Sequence, residues 1–600
     1  MPTYKAPTRD TRFVINELLE LESYGNLAGF ESATPDLTDA IIEEGGKFAA
    51  EVLAPLNQIG DKEGCIRHDD GSVTTPTGFK EAYKQYCEAG WGTLSLPADF
   101  GGQGLPHVLG IAMEEYLAAA NHAFAMYPGL TNGAVSALLA TGSEELKAKY
   151  VANMISGKWL GTMNLTEPHA GTDLGLIKTK AEPQADGTYA ISGTKIFISA
   201  GEHDLSENII HLVLAKTPGA PDSSKGISLF LVPKFLVNDD ESLGERNAVS
   251  CGSIEHKMGI HGNATCVMNY DGAKGWIVGE EMKGLAAMFI MMNAARLGVG
   301  VQGLSQAEVA YQNAVIYAQE RRQGKGIAGR ADPDKPADPI IVHPDVRRML
   351  MDAKAFNEGM RALILWGALQ VDLSHKGADE AARQEADDMI SLLTPVIKGY
   401  GTDKGYDVAT NMQQVFGGHG YIWETGVEQF VRDARIAMIY EGTNGVQAMD
   451  LCGRKLPANG GRAIQEFFKL VDAEIAAGKA DPRLEAIATR VEKALGEQKA
   501  ATLWFVQNAL AAPNNLGAGA HHYMHIMGIV SLGWMWLRMA KVAAAKLAAG
   551  TDDRAFYETK LVTARYFAER FTPDAGALRR KIEAGSEAMM ALAPDQFETA

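Results

Sequence analysis

Six hundred residues exceed what one hydrophobic core organises, so two to four domains are expected. Hydrophobic residues at 46% and charged residues at 22% lie near globular averages, which excludes an intrinsically disordered chain. A formal net charge of −18 argues against a nucleic-acid partner or an anionic membrane surface.

The opening segment, MPTYKAPTRDTRFVINELLELE, becomes amphipathic without the apolar core of a secretion signal. Cys65, Cys87, Cys251, Cys266 and Cys452 form no CxxC pair and no even framework, so a reducing, cytoplasmic setting is expected. From Thr38 to about Lys158 apolar residues recur at three- and four-residue spacing, as in LTDAIIEEGGKFAAEVLAPLNQIG and GFKEAYKQYCEAGWGTL, and predict helices. After Trp159 the chain turns to short runs rich in β-branched and aromatic residues, GTYAISGTKIFISAG, NIIHLVLAKT, KGISLFLVPKF and ATCVMNYDGAKGWIVG. Such runs without intervening helices predict an antiparallel sheet or small barrel.

Helical spacing returns at about Gly284 and predicts one long helix through Arg322. Two more follow, from His343 to His375 and from Ala378 to Phe416, the second broken by FGGHGY. Beyond the linker-like LPANGGR the composition is Ala-rich and predicts further helices. The apolar run Tyr523–Leu537 is shorter than the roughly 20 residues that span a bilayer and reads as a buried helix. No segment reads as integral to a membrane. The boundaries drawn are 1–37 (extension), 38–158 (helical), 159–283 (β), 284–456 (helical) and 457–600 (appended helices).

Five clusters carry candidate chemistry. In MNLTEPHAGTDLG, Thr166, Glu167, Gly171 and Thr172 offer donors around a proline-fixed turn, as a planar heterocycle needs; taken alone, a plain Pro-Gly connection with a helix N-cap is the commoner explanation. In GTKIFISAG, Phe197 and Ser199 share a strand face by the two-residue period, fit for stacking and bonding a ring or for ordinary core packing. Arg321 and Arg322 end the long helix, where a guanidinium suits diphosphate or simply the helix dipole. In QVFGGHGYIWE, Gly417 and Gly418 allow close backbone approach or a helix stop. In RIAMIYEGTNGVQ, Glu441 follows an apolar stretch, where a carboxylate is costly unless it is used. No GxGxxG follows a strand, and neither GxxxxGK[ST] nor HExxH occurs. The fourteen histidines show no metal-ligand spacing, so no metal is expected.

Taken in order, TEPHAGTD, GTKIFIS, ERRQGKG, GGHGY and RDARIAMIYEGT, with LPADFGGQG at Leu96–Gly104, resemble the acyl-CoA dehydrogenase family over about residues 40–455. The length and appended helices look like its long bacterial branch with an extra C-terminal domain. The resemblance implies an α+β multidomain fold: an N-terminal helical domain, a central β-barrel or sheet domain and a C-terminal four-helix domain, with FAD between the last two. It implies α,β-dehydrogenation of an acyl-CoA thioester to the trans-2-enoyl-CoA, with Glu441 as a dry, strong base taking the α-proton while the β-hydride goes to flavin N5.

Electron-transfer flavoprotein would then accept the electrons. The acyl group implied is 3-methylmercaptopropionyl or a short- to long-chain fatty acyl. FAD contacts carried over are Met163, Leu165, Thr166, Gly171, Thr172, Phe197, Ser199, Arg321, Gln323, Gln414, Gly417, Gly418, Thr443 and Asn444. Substrate contacts are Thr172, Asn293, Arg296 and Gly442. A minority of the family carries its base just before the Arg of the long helix; here that residue is Ala295, which cannot take a proton.

The family clamp from Arg321 reaches a neighbouring subunit's FAD, which implies a homo-oligomer, most simply a dimer, whose apolar interface IMGIVSLGWMWL (Ile526–Leu537) would suit if part of it faces a partner. Phe197 stands where the family has Trp, Gly324 directly follows Gln323 where a Phe-bearing motif is usual, Asn444-Gly445 replaces Ser-Gln, and Pro344 replaces a common Gln. Two alternatives stand beside this reading: an acyl-CoA oxidase that uses oxygen, and a flavin-containing DNA-binding protein of the alkylation-response type, which the acidic balance disfavours.

Overall fold

A computed structural model describes residues 2–598 and divides the chain into two compact units, residues 36–298 and residues 7–35 with those from 299 onward. The first begins with helices α1 (Pro35–Phe48), α2 (Ala54–Glu63), α3 (Phe79–Glu88), α4 (His107–Ala120) and α5 (His122–Thr141). The break between α4 and α5 has a local cause. Asn121 sits in extended backbone and its side chain accepts from the Phe124 N–H at 3.0 Å, capping α5 as α4 stops.

A seven-stranded sheet follows: β1 (Trp159–Asn164), β2 (Lys180–Pro183), β3 (Tyr189–Ser199), β4 (Asn208–Lys216), β5 (Ile227–Pro233), β6 (Val249–Ile254) and β7 (Thr265–Ile277). Pairing runs β6–β7–β3–β2–β4–β1, and β5 joins β7 to β4, so five strands close on themselves as a small barrel. Of the two expected arrangements, antiparallel sheet or small barrel, the barrel is the one present, and one pairing is parallel: β1 runs parallel to β4 from Trp159↔Asn208 to Asn164↔Val213. Parallel neighbours need a long crossover, which the turn after β1 and the β2–β3 hairpin supply. Inside the barrel Ile191, Val213, Phe230, Val232, Cys266 and Met268 form one core.

The long helix appears as read, α6 (Gly284–Glu320), and contributes residues to both units. In the second unit α7 (Pro344–Lys376) starts with proline at its first turn, and α8 (Glu380–Val415) is capped by Asp379, which accepts from the Ala382 N–H at 2.8 Å. Shorter helices α9 (Glu428–Arg435) and α10 (Asn444–Asp450) precede the appended module, α11 (Arg462–Lys479), α12 (Glu485–Asn508), α13 (Asn514–Ala549), α14 (Arg554–Arg570) and α15 (Asp574–Glu583).

Helix α13 is the module's centre and packs on α7, α8 and α10 as well as on its own neighbours. A Cβ at Gly528 would stand 2.3 Å from the Tyr400 ring, so only glycine permits this approach to α8. Both α6 and α13 are long and apolar enough to cross a bilayer by length and composition, but 83% of the apolar window of α13 is buried. Nearly every residue from Tyr523 to Leu537 is buried, as a buried helix requires, so Ile526–Leu537 packs within its own chain and leaves little apolar surface for the partner contact considered above.

The N-terminal segment belongs to the second unit through buried ions. Lys560 bonds Asp10 and, at 2.8 Å, Glu358; Arg361 bonds Asp10 at 2.6 Å and Glu308 at 3.0 Å. Burial would raise the Asp10 pKa, yet the two cations outweigh it and hold the carboxyl at about 2.

Candidate active site

Glu441 lies in the short turn between Met438 and α10 with φ +57°, a left-handed conformation unusual for a side chain of this size. Such strain persists only where neighbours over-determine it. Here they do. Gln447 Nε2 donates to the Glu441 carbonyl at 3.1 Å, and Lys398 Nζ, fully buried, donates to the Gly442 carbonyl at 2.7 Å and to Asn444 Oδ1 at 2.8 Å. Gly442 has φ +79°, and a Cβ there would stand 2.6 Å from Gln447 Nε2. Tyr440, next to Glu441, donates its hydroxyl to Gln302. Thr443 caps α10 by accepting from the Val446 N–H at 3.3 Å.

Glu441 is half-buried. Asn444, carried over above as an FAD contact, is buried, and its amide donates to Asp403 Oδ1 at 2.6 Å and to Thr402 Oγ1 at 2.9 Å. Neither Lys398 nor Gln447 carries a motif signal.

In the first unit the TEPHAGTD turn is locked from beneath. Glu167 is buried and accepts from Lys195 Nζ at 2.9 Å, Thr179 Oγ1 at 2.6 Å and the Lys178 and Thr179 N–H groups. Lys195 is also fully buried and donates to the Leu165 carbonyl at 2.9 Å; burial, only partly offset by Glu167, lowers its pKa to about 8. Glu167 is therefore a fixed anchor. The expectation that Glu167 offers a donor to a heterocycle is corrected, since its N–H bonds the Ala170 carbonyl at 2.9 Å, and Lys195 is a partner to which no motif pointed. Above this anchor Met163, Leu165 and Thr166 are half-buried while Gly171 and Thr172 are exposed.

Phe197 has φ +58° where β3 carries one extra residue against β7, since Met268 pairs with Lys195 but Cys266 with Ile198. The bulge turns the Phe197 ring outward, 59% exposed, while Ile198 stays in the core and Ser199 is half-buried. A planar heterocycle would find an aromatic face and several hydroxyls here.

Arg321 is exposed just past α6, and its guanidinium makes no hydrogen bond or ion pair among the described residues. Arg322 by contrast pairs with Asp332 at 2.8 Å and with the Ala337 carbonyl, so it is structural. Gln323 is exposed and its N–H bonds the Asp338 carbonyl. Gln414 is exposed at the end of α8, and a Cβ added at Gly417 or Gly418 would meet nothing within 4 Å. A free guanidinium and an open backbone ledge are the groups a diphosphate and a nucleoside need.

The first unit also encloses a cavity of about 80 Å³ lined by Trp91, Glu114, Leu117, Met291 and Ala295 among others. Burial raises the Glu114 pKa to about 7. Gly298 makes room for it, since a Cβ there would stand 2.6 Å from its carboxyl. Arg296 is buried and donates to the exposed Asn293 within 3.5 Å.

Four family models match in chain order: the acyl-CoA dehydrogenase N-terminal domain at residues 37–158, middle domain at 162–273 and C-terminal domain at 282–456, then the acetyl-CoA dehydrogenase C-terminal-like domain at 464–593. A 3-methylmercaptopropionyl-CoA dehydrogenase of Ruegeria pomeroyi is 46% identical, covering 97% of this chain and 98% of that one. A broad-specificity linear acyl-CoA dehydrogenase of Mycobacterium tuberculosis is 35% identical, with coverage of 97% and 98%. A Bacillus anthracis acyl-CoA dehydrogenase solved in complex with FAD shares the fold, with a TM-score of 0.73 at 21% identity, covering 91% of this chain and 88% of that one. The chain belongs to the acyl-CoA dehydrogenase family, oxidoreductases that act on CH–CH bonds and whose cofactor is FAD.

Proposed function

We propose that Glu441 is the base that removes the α-proton of an acyl-CoA thioester, giving the trans-2-enoyl-CoA. The observation that carries this reading is the strained, doubly tethered turn. Glu441 has a positive φ, Gln447 holds its carbonyl and Lys398 holds the carbonyl of the Gly442 that follows, so the backbone that carries the carboxylate is fixed on both sides. FAD, when bound, supplies the acceptor for the β-hydride.

The groups present suit that cofactor. The first unit offers the Phe197 ring and the hydroxyls of Thr166, Thr172 and Ser199; the second offers Arg321, Gln323, Gln414 and the open Gly417–Gly418 backbone. Because the Arg321 guanidinium has no partner among the described residues, we assign it to a neighbouring subunit's pyrophosphate, and hence propose a homodimer. Thr443 is exposed and free to meet phosphate through its backbone, whereas Asn444 acts by holding the turn.

Substrate approach at the base needs Gly442, because any larger residue there would displace Gln447. Thr172, Asn293 and Arg296 are the proposed thioester and coenzyme A contacts. The similarity to the Ruegeria enzyme supports 3-methylmercaptopropionyl-CoA as the substrate, a short- to long-chain fatty acyl-CoA being the other reading. Electron-transfer flavoprotein is the proposed acceptor, and a cytoplasmic location is consistent with five free thiols.

The test is Glu441→Gln. The amide keeps the side-chain volume but accepts no proton, so the variant should hold FAD and bind acyl-CoA while losing nearly all flavin reduction. Reduction within a few fold of the wild type would assign the base elsewhere. A panel of acyl-CoAs, assayed with peroxide production measured beside reduction of electron-transfer flavoprotein, sets the substrate and separates dehydrogenase from oxidase.

A further inference from the structure

Helix α13 of the appended module carries His521 and His525 one turn apart, so both imidazoles fall on one face. That face meets Asp403 of α8. His525 Nε2 lies 2.9 Å from Asp403 Oδ2, and His521 Nδ1 lies 4.0 Å from the same oxygen. One ligand atom from each of the three residues falls within 4.8 Å of the other two.

We propose that Asp403, His521 and His525 bind one divalent transition-metal ion of the zinc class, which fastens the appended module to α8. Two imidazoles and one carboxylate make a donor set of the borderline softness that zinc prefers over calcium or magnesium. Zinc bonds of about 2.0–2.2 Å require ligand atoms roughly 3.3 Å apart, so the three groups need only small rotamer shifts to close on an ion. An ion pair alone would need only His525. The second imidazole, beyond hydrogen-bond range of the shared oxygen and with its ring 4.4 Å from that of His525, serves an ion better than it serves Asp403.

The carboxylate is also braced from behind, as ligating carboxylates are. Asn444 Nδ2 donates to Asp403 Oδ1 at 2.6 Å, which leaves Oδ2 facing the two histidines. The side chains of Asp403 and His525 are 13% and 12% exposed, while that of His521 is 52% exposed, so an ion can enter from the His521 side and keep a water there.

The bracing residue gives the site a consequence. Asn444 Oδ1 accepts from Lys398, and Lys398 also holds the Gly442 carbonyl beside Glu441. An ion on Asp403 would therefore stiffen the same polar chain that fixes the proposed base. That consequence rests on the role given to Glu441; metal binding itself does not, because it is read without substrate.

The test is equilibrium dialysis of the FAD-loaded full chain against buffered zinc(II), with metal content measured directly and melting temperature recorded with and without zinc. The wild type should hold one zinc per chain at this site and melt higher with it. His521→Ala, an exposed substitution that leaves the fold intact, and His525→Ala should each bind at least about tenfold more weakly and lose the zinc-dependent rise in melting temperature. No zinc retained by the wild type, or zinc held as tightly by His521→Ala, would overturn the site. If Glu441→Gln stays active while zinc binds as expected, the base assignment falls and the metal site stands.

Discussion

Replacing Gly442 with alanine tests whether the turn around Glu441 is held as tightly as its bonds imply. The new Cβ would sit at φ +79°, which costs a non-glycine residue about 1–2 kcal/mol. It would also stand 2.6 Å from Gln447 Nε2, and Gln447 is fully buried with no solvent to swing into. Moving that amide breaks its bond to the Glu441 carbonyl, worth about 1 kcal/mol. The sum is roughly 2–3 kcal/mol placed on the segment that aims the base. If that energy is expressed as lost positioning, flavin reduction slows about 30- to 150-fold.

Gly445→Ala is the matched control. It lies three residues away in the first turn of α10, has no positive φ, and its Cβ would meet only Thr443 Oγ1 at 3.9 Å. Stopped-flow reduction by acyl-CoA, with bound FAD measured by absorbance, should show Gly442→Ala slow and flavin-loaded and Gly445→Ala within twofold of the wild type. Equal rates for both variants, or a fast Gly442→Ala, would refute the account of the turn.

Lys195→Met should strand the buried Glu167 carboxylate and the Leu165 carbonyl, costing about 3–5 kcal/mol in urea unfolding and loosening FAD retention; a loss under about 1 kcal/mol would mean Glu167 finds other partners. Glu114 binds its proton more tightly folded than unfolded, with a folded pKa of about 7 against 4.5, so its contribution is full below pH 4.5 and is lost as pH rises through 7. Urea midpoints at pH 5 and pH 8 should therefore differ less in Glu114→Gln than in the wild type, by an amount of order 3 kcal/mol in stability. An identical pH dependence in the two proteins would place the titration on another group.

Local chemistry makes much of this protein legible in the sequence. Helices α6, α7 and α8 fall within a few residues of their expected ends, because apolar spacing, the first-turn proline of α7 and the break at Gly417 act within a few turns of chain. The motif residues Phe197 and Glu441 stand out by type and order, yet nothing local predicts that both adopt positive φ. Phe197 does so because β7 forces a bulge on β3, and Glu441 because Lys398, from a helix some forty residues earlier, and Gln447, six residues on, pin its turn.

The parallel pairing of β1 with β4 and the burial of Tyr523–Leu537 within the chain likewise depend on long-range partners. So do the bonds from Asp10 to Arg361 and Lys560, spanning 351 and 550 residues. Sequence periodicity fixes which face of an element is apolar. Which distant charge or backbone group then meets that element is decided only when the whole chain has packed, because a buried polar group must find a partner wherever the fold brings one.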